Sequence, residues 1–185
     1  MLKHCGTELI QTERLILRRF LVSDFEDMYN NWASDATVSR YLTWKPHENK
    51  KRTKAILKDW SKAYSSRSCY NWCITLKNDG TAVGSIGVVS LCEELDSCQI
   101  GYCLTQKLWG QGIMTEALQA VLRFLFEDVG IVRVSAVHHI ENPASGRVMQ
   151  KSGMNYIGIV HKGAKTNDGQ FCDIALYEIL NKCDI

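Results

Sequence analysis

The run Tyr102-Cys103-Leu104-Thr105-Gln106-Lys107-Leu108-Trp109-Gly110-Gln111-Gly112-Ile113-Met114-Thr115-Glu116-Ala117 constrains this chain more than any other segment. It reads as a strand end, a short glycine turn and a helix start. Gly110 and Gly112 flank Gln111. Glycine takes positive φ freely and lets a ligand approach the backbone. A helix start presents unpaired N–H groups at the positive end of its dipole. Together these features make an anion site, most often for phosphate. The same sequence also suits a tight turn with close helix packing.

The elements around this run are legible from their periodicity. Residues 14–20 alternate as a strand. Ser23 and Glu26 have the spacing of a capping box, which predicts a helix through Met28, Tyr29 and Trp32. A second helix is expected from about 49 to 64, with Ile56, Leu57, Trp60, Ala63 and Tyr64 as its apolar stripe. Lys51, Lys54, Lys58 and Lys62 form another face of it, either solvated or an electropositive rim. Strands follow at 70–77 and 82–90, joined through Asn78-Asp79-Gly80. Another strand spans 97–104, after the acidic loop Glu93-Glu94-Leu95-Asp96. A helix over 114–128 ends at Gly130. Then come a strand at 132–138, a helix near 143–152 stopped by Gly153, and strands near 155–162 and 171–179 around the turn Asn167-Asp168-Gly169.

This order of strands and helices is that of an α/β chain with a mixed sheet. Its 185 residues suit one domain, 1–185. A net charge of +2 gives no general attraction to nucleic acid or to a membrane surface. The first eight residues lack the apolar core of a signal peptide, and no apolar run reaches membrane-spanning length. The eight cysteines stand at 5, 69, 73, 92, 98, 103, 172 and 183 without a Cys-x-x-Cys pair. Scattered spacing within apolar runs predicts free thiols, a cytoplasmic setting and no metal site.

A second motif, Glu141-Asn142-Pro143-Ala144-Ser145-Gly146-Arg147-Val148-Met149-Gln150-Lys151-Ser152-Gly153-Met154, follows the strand Val132–Val137. With Trp109-Gly110-Gln111-Gly112, and with Thr12-Glu13-Arg14-Leu15-Ile16-Leu17-Arg18 before them, it resembles the GNAT superfamily of acetyl-coenzyme A-dependent N-acetyltransferases. The Trp-Gly-Gln-Gly loop resembles the branch that acetylates ribosomal-protein N-termini. The resemblance covers most of the chain, to Asp173-Ile174-Ala175-Leu176-Tyr177.

The resemblance implies a single-domain α/β (α+β) fold: a mixed, mostly antiparallel central sheet flanked by helices, with splayed central strands. It implies acetyl-coenzyme A as co-substrate, without a metal. The backbone of Gly110, Gln111, Gly112, Ile113, Met114 and Thr115 is then expected to cradle the pyrophosphate. Met114 stands where relatives usually have glycine or alanine, which predicts a bulkier floor. Tyr102, Cys103 and Leu104 are expected beside the acetyl and pantetheine, with a backbone N–H near Cys103 or Leu104 facing the thioester carbonyl. Asn142 is expected to hold a pantetheine amide. Arg147 and Lys151, one turn apart, either reach phosphates or are solvated.

Catalysis then needs a neutral amine and a proton for the thiolate. Many relatives place a glutamate where this chain has Gln99, and a tyrosine where it has Met149. Gln99 takes no proton, which favours an amine of low pKa such as a protein α-amine. Ser145 is the expected proton relay to the thiolate, or else a helix cap. His138 is the foremost candidate base because imidazole titrates near neutrality. Glu93, Glu94, Asp96 and Glu141 are others. Trp32, Tyr41, Trp44, Trp72 and Tyr156 are candidate acceptor linings. The preferred acceptor is a protein N-terminus. A polyamine, amino acid or aminoglycoside is the alternative, and a silent acyl-coenzyme A-binding module a third reading. The chain is expected as a monomer or homodimer.

Overall fold

The computed structural model describes residues 2–181. Cys183 therefore lies outside the described residues. Strands β1 (Ile10–Gln11), β2 (Leu15–Arg18), β3 (Asn71–Leu76), β4 (Ala82–Cys92), β5 (Ser97–Leu104), β6 (Arg133–His139), β7 (Asn155–Lys165) and β8 (Phe171–Leu180) form one eight-stranded sheet. Its order is β1-β2-β3-β4-β5-β6-β8-β7. Every neighbouring pair is antiparallel except β5–β6. A parallel pair needs a crossover, and the helix α4 (Ile113–Phe124) supplies it.

The β5–β6 pair is short. It runs from Ser97–Arg133 to Ile100–Ala136 and stops. Beyond it, β5 stays bonded to β4 as far as Leu104, and β6 to β8 as far as His139. The two central strands thus part company, as the resemblance implies.

Helices cover both faces. α4 and α5 (Pro143–Lys151) lie on one, over a core containing Trp72, Ile86, Leu118, Val134 and Met149. On the other lie α1 (Phe25–Met28), α2 (Ala36–Ser39) and α3 (Lys50–Ala63), over Phe20, Trp32, Leu57 and Cys73. Full burial of one such apolar side chain contributes roughly 1.5–3 kcal/mol. Trp32 and Trp72, 1% and 0% exposed, are therefore core and not lining.

Several local expectations change. Ser23 does not cap. Asp24 accepts the Leu21 N–H at 2.7 Å and holds the Arg18 guanidinium at 2.7 and 2.8 Å. A charge-assisted, two-pronged bond is stronger than one from a hydroxyl. α1 passes into a π turn, Tyr29–Ala33, closed by Ser34 N–H on Tyr29 O at 3.2 Å. On α3 the buried positions are Thr53 and Leu57, while Ala63 is exposed. Thr53 is tolerated inside because its hydroxyl meets His47 Nδ1 at 2.9 Å. α4 likewise ends in a π turn, Leu125–Val129, before Gly130 at φ +86°.

The seven described cysteines are free thiols. Among the described residues no helix is long and apolar enough to cross a membrane. Nor do three or more His, Cys, Asp or Glu side chains gather as metal ligands among them.

Candidate active site

The opening between β5 and β6 presents unspent backbone. Thr105 N–H donates to Val83 O and Val88 N–H to Tyr70 O, both at 2.8 Å. Peptide groups alternate along a strand. Those of Tyr102 and Leu104 therefore turn away from β4, toward the opening. Those of Cys103 face Ser85, its partner on β4. The Leu104 carbonyl takes the Trp109 indole N–H at 3.0 Å, which ties the glycine loop to the strand end. The Leu104 N–H is left for a ligand, and so are both groups of Tyr102. Buried backbone donors need partners, and pantetheine amides have the chemistry to supply them.

The loop itself is shaped by φ. Gly110 and Gly112 sit at +76° and +78°. Gly112 is the N-cap of α4 and lends it no side-chain cap. The first-turn N–H groups of Ile113, Met114 and Thr115 thus form an uncapped helix start, suited to an anion. The side chains of Ile113 and Met114 are buried in the core. The bulk of Met114 goes into the core beneath the loop.

A brace holds this loop that the sequence motif did not reveal. Arg14 Nη1 donates to Gln111 O at 2.9 Å and Arg14 Nε to Glu116 Oε2 at 2.7 Å. Glu116 Oε1 also accepts the Arg14 N–H at 2.9 Å and the Thr12 hydroxyl at 2.6 Å. Burial alone would raise the Glu116 carboxyl, but the bonds from Thr12 and Arg14 outweigh it and hold it below its usual range. Its signal in the sequence was Thr12-Glu13-Arg14, some hundred residues upstream.

Across the opening, Tyr102 meets Ser145. Its hydroxyl donates to Ser145 O at 3.1 Å and lies 3.0 Å from Ser145 Oγ. Burial drives the Tyr102 phenol well above its usual range, against the opposing bond to Ser145, so it stays protonated. Ser145 is placed by Asn142, the N-cap of α5, whose carbonyl and side-chain oxygens accept the Ser145 N–H at 3.1 and 3.4 Å. Met149 is 1% exposed and packs in the core.

The two histidines divide between the faces of β6. His138 points beneath α5: a Cβ on Gly146 would lie 2.6 Å from its Nε2. Its Nδ1 meets His139 O at 2.7 Å. With Tyr177, Gln150, Arg147 and Tyr156 it lines a cavity of about 320 Å³ between α5 and β7–β8. Ser145 and Tyr102 are not among the residues of that cavity. Arg147 and Lys151 are exposed, and Lys151 O receives Gln119 Nε2 from α4 at 3.0 Å.

His139 faces the opposite side with Cys103, whose thiol lies 3.2 Å from Ser85 Oγ. Burial raises that thiol. The His139 ring is 5.2 Å from that of Tyr41, which carries the Arg40 guanidinium 5.0 Å from its centroid. Three aspartates in this part of the chain accept backbone N–H groups. Asp27 accepts from Ala82 N–H at 3.0 Å, Asp35 from Thr37 N–H at 2.7 Å, and Asp173 from Lys162 N–H at 2.8 Å. Gln99 lies lower on β5, in a small polar recess with Ser135 and Arg133. Glu93 and Glu94 sit before the far end of β5, a strand length from the opening. Tyr156 is exposed on β7, and Trp44 stacks near His47, 5.6 Å away.

A parted parallel pair, a glycine turn and an uncapped helix start define an acyl-coenzyme A-binding architecture. The comparisons agree. The model of the acetyltransferase (GNAT) domain matches residues 14–155, so the chain belongs to the GNAT acetyltransferase family. It is 25% identical over 172 residues to the uncharacterized N-acetyltransferase YoaA of Bacillus subtilis, covering 93% of this chain and 96% of that one. The crystal structure of a GNAT-family acetyltransferase from Bacillus anthracis superposes with TM-score 0.82 at 27% identity, over 95% of this chain and 99% of that one. The ribosomal protein uS5-alanine N-acetyltransferase of Escherichia coli is 34% identical over 80 residues, 43% of this chain and 41% of its own. The chain is an acetyl-coenzyme A-dependent transferase.

Proposed function

We propose that the acceptor is the α-amine of a protein N-terminus and that transfer is direct, from thioester to amine. The observation that carries this reading is the acceptor side of the opening. Arg40, Tyr41 and His139 wall it with cationic and aromatic groups, and Asp27, Asp35 and Asp173 each accept a backbone N–H. A polyamine or aminoglycoside carries several positive charges and calls for free carboxylates there. An α-amine has a reference pKa near ~7.7–8.0, against ~10.4 for lysine, so much of it is neutral without a strong base. Gln99 in place of a glutamate fits the same acceptor. The local similarity to the uS5-alanine N-acetyltransferase points the same way.

The chain's own groups then divide the work. The loop 110–115 holds the pyrophosphate, and the backbone of Tyr102 and Leu104 holds pantetheine. The Leu104 N–H faces the thioester carbonyl, where such a donor is worth about 3–4 kcal/mol. The amine nitrogen bonds to the carbonyl carbon, the carbon–sulfur bond breaks, and the thiolate needs a proton. The Ser145 hydroxyl hydrogen goes to sulfur, with the Tyr102 phenol, which donates to Ser145 O and lies 3.0 Å from Ser145 Oγ, beside it. Ser145 recovers a proton through the phenol as the phenol takes one from water, and the amine's surplus proton leaves to water, so the net transfer is from amine to thiolate. His138, beneath α5, has no part in this scheme.

The test is an acceptor panel read by thiol release: short peptides with free N-terminal alanine or serine, their blocked forms, spermidine and an aminoglycoside. The free peptides are expected to be turned over best. Preference for the polycations would overturn the acceptor reading, and no release with any amine would leave a silent binding module.

A further inference from the structure

His138 and His139 are adjacent on a strand, so their rings take opposite faces. The register of β5 and β6, continued one for one beyond Ile100–Ala136, sets Tyr102 opposite His138 and Cys103 opposite His139. His139 therefore stands on the acceptor side, at the lip of the opening. It is held by two contacts. Glu141 N–H donates to His139 Nδ1 at 3.1 Å. That bond leaves the neutral ring with its hydrogen on Nε2. Tyr41 supports the ring face at 5.2 Å. Two residues before Tyr41, Ser39 O takes a bond from Asn167 in the β7–β8 turn at 3.0 Å. The result is a half-buried, fixed N–H donor that the transfer chemistry above does not use.

We propose that His139 is a positioning residue for the acceptor: its Nε2–H donates to the first carbonyl oxygen of an incoming peptide, with Tyr41 as the ring's support. This rests on the peptide-acceptor reading. A peptide α-amine always carries a carbonyl on the neighbouring carbon. Polyamines and aminoglycosides do not, so this donor selects for peptide ends.

The experiment compares two acceptors with acetyl-coenzyme A. One is a tetrapeptide with free N-terminal alanine. The other is the same peptide with sulfur in place of the first carbonyl oxygen, a poorer hydrogen-bond acceptor of similar shape. The wild type is expected to lose about fivefold in kcat/KM on the sulfur peptide, the size of one hydrogen bond. His139→Phe keeps a ring on Tyr41 but has no donor. It should lose about the same factor on the normal peptide, mainly through KM, and little more on the sulfur peptide. His139→Gln restores an N–H donor and should recover most of the wild-type behaviour. Calorimetric affinity for coenzyme A monitors the fold, and His139→Met replaces Phe if that affinity falls. Equal sensitivity to sulfur in wild type and in the donor-less variant overturns the proposal while leaving the peptide reading intact. Wild-type turnover of simple amines but of neither peptide overturns both.

Discussion

At Ser145 the chemistry comes down to where one hydrogen points. The side chain sits between a backbone cap and a phenol, and either arrangement alone would make it structural. The Tyr102 phenol donates to Ser145 O and lies 3.0 Å from Ser145 Oγ, which places it to join the relay proposed above. Ser145→Ala should lower kcat by about 10²-fold, the lower end of acid–base effects, with little change in KM for acetyl-coenzyme A. Tyr102→Phe should lower kcat less. The double variant should fall no further than Ser145→Ala, because the two groups act as one relay. A rise in KM alone would make Ser145 a cofactor contact, and no change would remove its hydroxyl from the mechanism. Motif spacing brought Ser145 into view, but the role of the Tyr102 side chain was hidden. The resemblance placed Tyr102 beside the pantetheine, but what its hydroxyl touches depends on where β5 and β6 stop pairing.

The loop and α4 act as one element with the β1–β2 hairpin through Arg14 and Glu116. Gly112→Asp should weaken coenzyme A binding in calorimetry by at least tenfold, since it adds both a charge at the anion site and strain at φ +78°. Gly112→Ala, which carries the strain alone, should weaken it less. Equal losses in the two variants would remove charge from the account. Glu116 predicts a pH dependence. Its carboxyl is held below its usual range, so its stabilising contribution is complete above the unfolded value, near ~4.3. That contribution is lost as pH falls through the lower folded value. Melting temperatures of wild type and Glu116→Gln should differ most at about pH 7 and converge toward about pH 3. A constant gap would place the effect in packing and not in charge. Both glycines and the helix start were legible in the sequence, since they are local. The Arg14 brace was not, because its partners lie 97 and 102 residues away.

At the scale of the whole molecule, one continuous sheet with layers on its two faces buries two of the seven described thiols. Cys73 and Cys98 are 0% and 5% exposed. Burial pushes the Cys98 thiol up to about 12 and Cys73 higher still. Thiolate is the reactive form. A chromogenic disulfide reagent should therefore spare both in the native protein and count eight thiols after denaturation, matching the sequence. A smaller count in denatured, unreduced protein would reveal a bridge. By itself the sequence determined the alternation of elements, the glycine turn, the helix after Asn142 and the family. Each is written in spacings of a few residues, where period, propensity and turn chemistry act directly. Only the tertiary structure decided which face each histidine takes, what Tyr102 touches, where Met114 sends its bulk, and how Arg14 reaches the loop. Those depend on where β5 and β6 stop pairing, and strand separation is set by packing across the whole sheet.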